Sequence, residues 1–82
     1  TGLKATPELA RKNEMVVADF TTIENAKLLS VVNGNGQTVM QTPVANGQTS
    51  YRLNTSNLPA GLYVVKVDNG KRMTESCKIV VR

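Results

Sequence analysis

Turn-forming residues punctuate this chain so often that only short strands fit between them. Asn33-Gly34-Asn35-Gly36, Asn46-Gly47, Pro59 with Gly61, and Asp68-Asn69-Gly70 recur at the spacing of about 8–12 residues that marks a sandwich or barrel. Asn and Gly tolerate the left-handed backbone region, and Pro presets φ near about −65°, so each cluster reverses the chain at low steric cost. Between the clusters apolar and polar residues alternate, the period of a strand with one face in a core. Val16, Ala18 and Phe20 share a face in residues 14–20, Leu29 and Val31 in 27–32, and Tyr63, Val65 and Val67 in 62–67. Val39 is expected to point inward from 37–41, Tyr51 and Leu53 from the next strand, and Cys77, Ile79 and Val81 from the last. Leu58 tucks beneath a turn, and Pro43, unable to donate to a ladder, marks a strand end or a sheet edge. No helix of ordinary length fits. The expected architecture is an all-β sandwich of six or seven antiparallel strands.

With 82 residues the chain makes one domain, and a chain this short buries only about 60–65% of its unfolded surface. Aromatic residues are 4% of the total, so the core is built from Val, Leu, Ile, Ala and Met around Phe20, Tyr51 and Tyr63. Residues 1–14 are polar and mixed. They read as a linker or short lead-in, or as one helical turn with Thr6 as N-cap and Pro7 at its first position. Residues 15–82 form the folded domain. The chain opens on Thr1 without a signal-peptide pattern, which leads us to expect a piece of a longer protein with a natural right-hand end.

Reactive groups are scarce. There is no His, and the six carboxylates form no obvious pair, so Cys77 and the Ser and Thr hydroxyls lack a general base. A lone cysteine permits neither an intrachain disulfide nor a thiolate metal cluster. Gly34-Asn35-Gly36 fails as a dinucleotide fingerprint because Val39 stands where the third Gly belongs. Asp68-Asn69-Gly70 lacks the further oxygen ligands of a calcium loop, and the sequon Asn54-Thr55-Ser56 carries no weight alone. Lys66 reads as a snorkelling surface side chain. The net charge of +4 is spread along the chain, with no aromatic residues interleaved to stack on bases. These features argue against an enzyme, a metal site, a cofactor and a nucleic-acid partner.

Two blocks and the end of the chain resemble a known family. Residues 26–40 resemble its strand–turn–strand block, with Gly36, Gln37 and Val39 at recurrent positions. Residues 53–67, carrying Leu58, Pro59, Gly61, Tyr63 and Val65, resemble its most recognisable block. The end, Lys78-Ile79-Val80-Val81-Arg82, resembles its basic–apolar–basic terminus. Together they resemble the type A C-terminal sorting domain of type IX (Por) secretion cargo in Bacteroidetes, as found on gingipain-like surface proteins. Members often carry a Tyr-Pro-Asn-Pro-like segment before the first strands, where this chain has Thr6-Pro7-Glu8.

The resemblance implies an immunoglobulin-like β-sandwich of about seven mostly antiparallel strands at the end of a larger protein. It implies a signal that takes cargo from the periplasm through the outer membrane to the cell surface or the medium. The implied partners are the outer-membrane translocon and a sortase, which usually removes the domain and joins the cargo to anionic lipopolysaccharide. The proteolytic chemistry is the sortase's. An edge strand offers unpaired backbone groups, so the translocon is expected to grip Lys78, Ile79, Val80, Val81 and Arg82 by β-augmentation, with Ile79 and Val81 also able to fill the core. Lys71 and Arg72 are candidate anion contacts. Two other readings stay open: an uncleaved binding module of a surface attachment complex, and an accessory sandwich of an extracellular hydrolase, which the absence of Trp weakens. A homodimer formed by strand exchange is a further expectation.

Overall fold

The alternating segments become strands because each has one apolar face to bury against a second sheet. The structure, a computed structural model, describes residues 2–70 and 74–82. Among the described residues there are eight strands: β1 (Lys4–Thr6), β2 (Leu9–Ala10), β3 (Met15–Asp19), β4 (Leu28–Asn33), β5 (Thr38–Pro43), β6 (Ser50–Asn54), β7 (Gly61–Asp68) and β8 (Thr74–Val81). A 3-10 turn, Thr55–Asn57, links β6 to β7. One sheet has the order β1-β3-β6 and the other β2-β8-β7-β4-β5. Every pairing is antiparallel except β2 with β8. This is the expected sandwich.

The core lies between the inner faces. Val16, Ala18, Phe20 and Leu53 come from the smaller sheet and its flanks, and Leu29, Val31, Tyr63, Val65, Val67, Ile79 and Val81 from the larger. The alternation read from the sequence accounts for all of them.

Three expectations change. Residues 4–6 and 9–10 are strands, not a helical turn, because Leu3, Ala5 and Ala10 are buried and draw the lead-in onto both sheets. Val39 points outward, 44% exposed. The β4–β5 register slips there, with Val31 opposite Met40 but Val32 opposite Thr38. The extra residue is a bulge, which turns Val39 out and lets Met40 pack on the core instead. Cys77, expected to be buried, is half-buried, since it lines an open groove with Leu3, Ala5 and Glu8.

Candidate functional site

The terminal strand carries the candidate recognition residues, and its neighbours decide which of them a partner can reach. β8 pairs with β7 along its whole length, from Asp68 opposite Thr74 to Gly61 opposite Val81. Strand period puts Ile79 and Val81 inside, 0% and 2% exposed, and leaves Lys78, Val80 and Arg82 outside. Five consecutive residues therefore divide into two core residues and three readable side chains.

The outer edge of this strand is not free at its end. β2 lies parallel to it, Leu9 opposite Val80 and Ala10 opposite Val81. The Val80 N–H donates to the Glu8 carbonyl at 2.8 Å, and the Arg82 N–H to the Ala10 carbonyl at 2.9 Å. The edge expected to accept an added strand at residues 80–82 is already filled by the chain's own lead-in. The reason is Ala10, fully buried, which pulls β2 against the terminal strand.

β2 is held in place by Thr55, which the sequence shows only as the middle of a sequon. After Ala10 the chain turns at Arg11-Lys12-Asn13-Glu14, with Asn13 in the left-handed region at φ 72°. The Glu14 N–H donates to the Arg11 carbonyl at 2.9 Å, and the Glu14 carboxylate accepts from the Arg11 N–H at 2.9 Å. Thr55, fully buried, sends its hydroxyl to the Glu14 carbonyl at 2.8 Å, with the Arg11 carbonyl at 3.1 Å. Asn54 sets this up by accepting from the Ser56 N–H at 2.9 Å, which caps the 3-10 turn. Asn54-Thr55-Ser56 thus works here as a cap and a clamp. Asn before Thr-Ser is a cap signal in the sequence, but the partner carbonyls lie more than forty residues away.

The residues shared with the family blocks are mostly structural. Gly36 takes φ 84° in the β4–β5 hairpin, and Gln37 donates its N–H to the Asn33 side-chain oxygen at 3.0 Å while accepting from Asn33 Nδ2 at 3.2 Å. Gly61 opens β7 at φ 152°, a conformation L side chains rarely adopt. The Tyr63 hydroxyl donates to the Pro59 carbonyl four residues back. That is the tyrosine-corner bond of immunoglobulin-type sandwiches. Leu58 and Val65 are buried in the core. The two blocks pair through β4 and β7, and at one end of that pairing Val39, Pro59, Gly61, Leu62 and Tyr63 line an open cleft of about 350 Å³. A larger cleft, about 650 Å³, lies at the other side of the terminal strand, lined by Leu9, Arg11, Lys12, Asn13, Glu14 and Arg82.

Lys71 and Arg72 lie outside the described residues. Among the described residues no three His, Cys, Asp or Glu side chains come together as a metal site would need. Among the described residues no helix is long and apolar enough to cross a membrane. Burial, helped by the nearby Glu8 carboxylate, pushes the Cys77 thiol above its ordinary pKa, so it is a poor nucleophile. Hydrogen bonds from the Thr21 hydroxyl and N–H hold the exposed Asp19 carboxyl below its usual range.

Comparison with known proteins places this geometry. A family model described as "Secretion system C-terminal sorting domain" matches residues 12–82. No curated protein matches the chain. Among solved structures, the CBM51-2 and INT domains of Clostridium perfringens ZmpB are similar at 26% identity with a TM-score of 0.59, over 89% of this chain and 17% of that one. The same domains with GlcNAc bound to CBM51-2 match at 24% identity with a TM-score of 0.59 and the same coverage. This chain spans 17% of the length of those chains, and the likeness is one of fold.

Proposed function

The chain belongs to the family of secretion system C-terminal sorting domains, and we propose that it delivers an attached passenger through the outer-membrane translocon by presenting Lys78, Val80 and Arg82. As a type IX sorting signal it is a non-catalytic targeting domain, which engages the secretion machinery and leads to export at the outer membrane, the cell surface or the medium. The passenger reaches the translocon from the periplasm. A sortase then removes the domain and joins the passenger to anionic lipopolysaccharide.

The observation that carries this reading is the division of the terminal strand. Ile79 and Val81 are spent on the core, while a cation, an apolar residue and a second cation face out on a strand paired with β7 throughout and with β2 at Val80 and Val81. A signal of this kind is read only when folded. Deleting residues 79–82 would therefore confound recognition with unfolding, and point changes to the outward side chains are the cleaner perturbation. Removal by a sortase would fall upstream of Leu3, because a cut within β1 or β2 would take away the buried Ala5 or Ala10.

The test is a secreted reporter fused ahead of residues 1–82 in a cell with the type IX system. Surface or medium delivery is expected with the intact domain and is lost in Lys78→Glu/Arg82→Glu at unchanged melting temperature. Equal delivery with and without the domain would reject the reading. The mass of the mature parent protein separates a removed signal from the retained binding module.

A further inference from the structure

We infer that the recognition surface extends past the terminal strand onto an apolar ridge, Leu9–Val80–Leu62, that docks on a protein of the export machinery presenting apolar side chains bordered by carboxylates. This rests on the sorting-signal reading above and adds two determinants, Leu9 and Leu62, that lie outside the tail.

The ridge follows from register. Val80 stands opposite Leu62 of β7 on one side and Leu9 of β2 on the other, and side chains directly opposite on one face are about 5 Å apart. All three are substantially exposed, at 48% for Leu9, 39% for Val80 and 45% for Leu62. Isolated exposed apolar residues need no explanation, but three abreast on neighbouring strands form a continuous patch. Its two ends open into the two clefts: Leu9 lines the larger beside Arg82, and Leu62 lines the smaller beside Val39. A partner can therefore lie along the row and seat a side chain at each end.

Charge selects the partner. Lys78 and Lys66 stand on the same outer face in the next rows, Lys78 opposite Val64 and Lys66 opposite Ser76. Arg82, Arg11 and Lys12 gather at the larger cleft, where the Glu14 carboxylate is turned to the Arg11 N–H. A second copy packed face to face would set these cations against their own symmetry mates. A membrane surface would be met without the aromatic anchors that interfacial faces use, since the chain has no Trp, its Tyr63 and Phe20 are buried, and the half-buried Tyr51 lies on β6 of the other sheet. An acidic-rimmed protein satisfies both the apolar row and its cationic border.

The test compares Leu9→Glu and Leu62→Glu with Val17→Glu in the reporter fusion. Val17 is exposed to a similar degree, 37%, but lies on the opposite sheet. Delivery is expected to fall by about tenfold or more in Leu9→Glu and Leu62→Glu, the loss of a central contact, and to hold in Val17→Glu. Circular dichroism and melting of each purified domain must match the parent. Should a Glu variant misfold, Lys66→Glu, which leaves the ridge intact, is expected to reduce delivery by itself, and normal delivery would overturn the inference. Delivery that requires the domain but is normal in Leu62→Glu and Leu9→Glu overturns the ridge and leaves the sorting reading standing. Delivery that survives removal of the whole domain removes that reading as well. Binding to phosphatidylglycerol vesicles, or a dimer in sedimentation, that Leu62→Glu abolishes would show a lipid or self partner and overturn the inference.

Discussion

Replacing Thr55 by Val keeps the side-chain shape and removes one buried hydroxyl that ties β2 to the body of the sandwich. The hydroxyl serves the carbonyls of Glu14 at 2.8 Å and Arg11 at 3.1 Å. Neither is orphaned by the change, because the Arg11 carbonyl keeps the Glu14 N–H at 2.9 Å and the Glu14 carbonyl keeps the Thr55 N–H at 3.4 Å. The expected loss is therefore that of one net hydrogen bond, about 1–1.5 kcal/mol, rather than the roughly 3 kcal/mol upper end for a stranded buried group. In a domain of this size about 1 kcal/mol moves the melting temperature by about 4–8 °C, so Thr55→Val should melt about 4–12 °C lower. The damage should also be local. Amide exchange at Val80 and Arg82, whose acceptors sit on the segment Thr55 holds, should quicken more than exchange at Val65 in the sheet centre. Thr55→Ser keeps the hydroxyl and should leave that ratio unchanged. A Thr55→Val domain that melts within about 2 °C of the parent, or that loses protection evenly, would refute the clamp.

Ile79→Ala should cost about 2–4 kcal/mol by thermal melting, since Ile79 is fully buried, while Val80→Ala beside it should stay within about 0.5 kcal/mol; equal costs would contradict the inside–outside division. Tyr63→Phe removes the bond to the Pro59 carbonyl and should destabilise by about 1 kcal/mol, seen as a lower denaturant midpoint at unchanged slope; an unchanged midpoint would leave the tyrosine corner without energetic meaning. Cys77 has its pKa raised by burial and by Glu8, so iodoacetamide alkylation should reach half its maximal rate at a higher pH in the native domain than in urea. The unfolded chain then releases this proton first, and stability should fall as pH rises from the unfolded-state value through the native one; a native midpoint at or below the unfolded one would reverse the sign.

Most of the sandwich was legible because strand period and core membership are the same information. Val16, Ala18, Phe20, Leu29, Val31, Tyr63, Val65 and Val67 alternate without interruption, and each is buried. Val39 defeated the pattern because a bulge adds a residue to one strand and flips the parity beyond it, an event that leaves no mark in the local alternation. β1 and β2 were hidden for a different reason. Three and two residues are too few to show a period, and the small buried Ala5 and Ala10 look unremarkable in a polar segment. Among the candidate recognition residues, the inward Ile79 and Val81 were legible from strand period, but the closing of the edge at Val80 and Arg82 was not, because it depends on β2, a parallel contact between segments some seventy residues apart. Thr55 was invisible in the same way, since its carbonyl partners are distant in sequence.

If the tail is read through outward side chains from a strand closed on both sides, the amides of Val80 and Arg82 must be engaged in the free domain. Native-state hydrogen exchange followed by NMR measures this directly. Protection at both amides of the same order as in β7, fed by the carbonyls of Glu8 and Ala10, is the expected result. Exchange at both at the rate of an unstructured peptide would mean an open edge, and the tail would then be free to be gripped by strand addition.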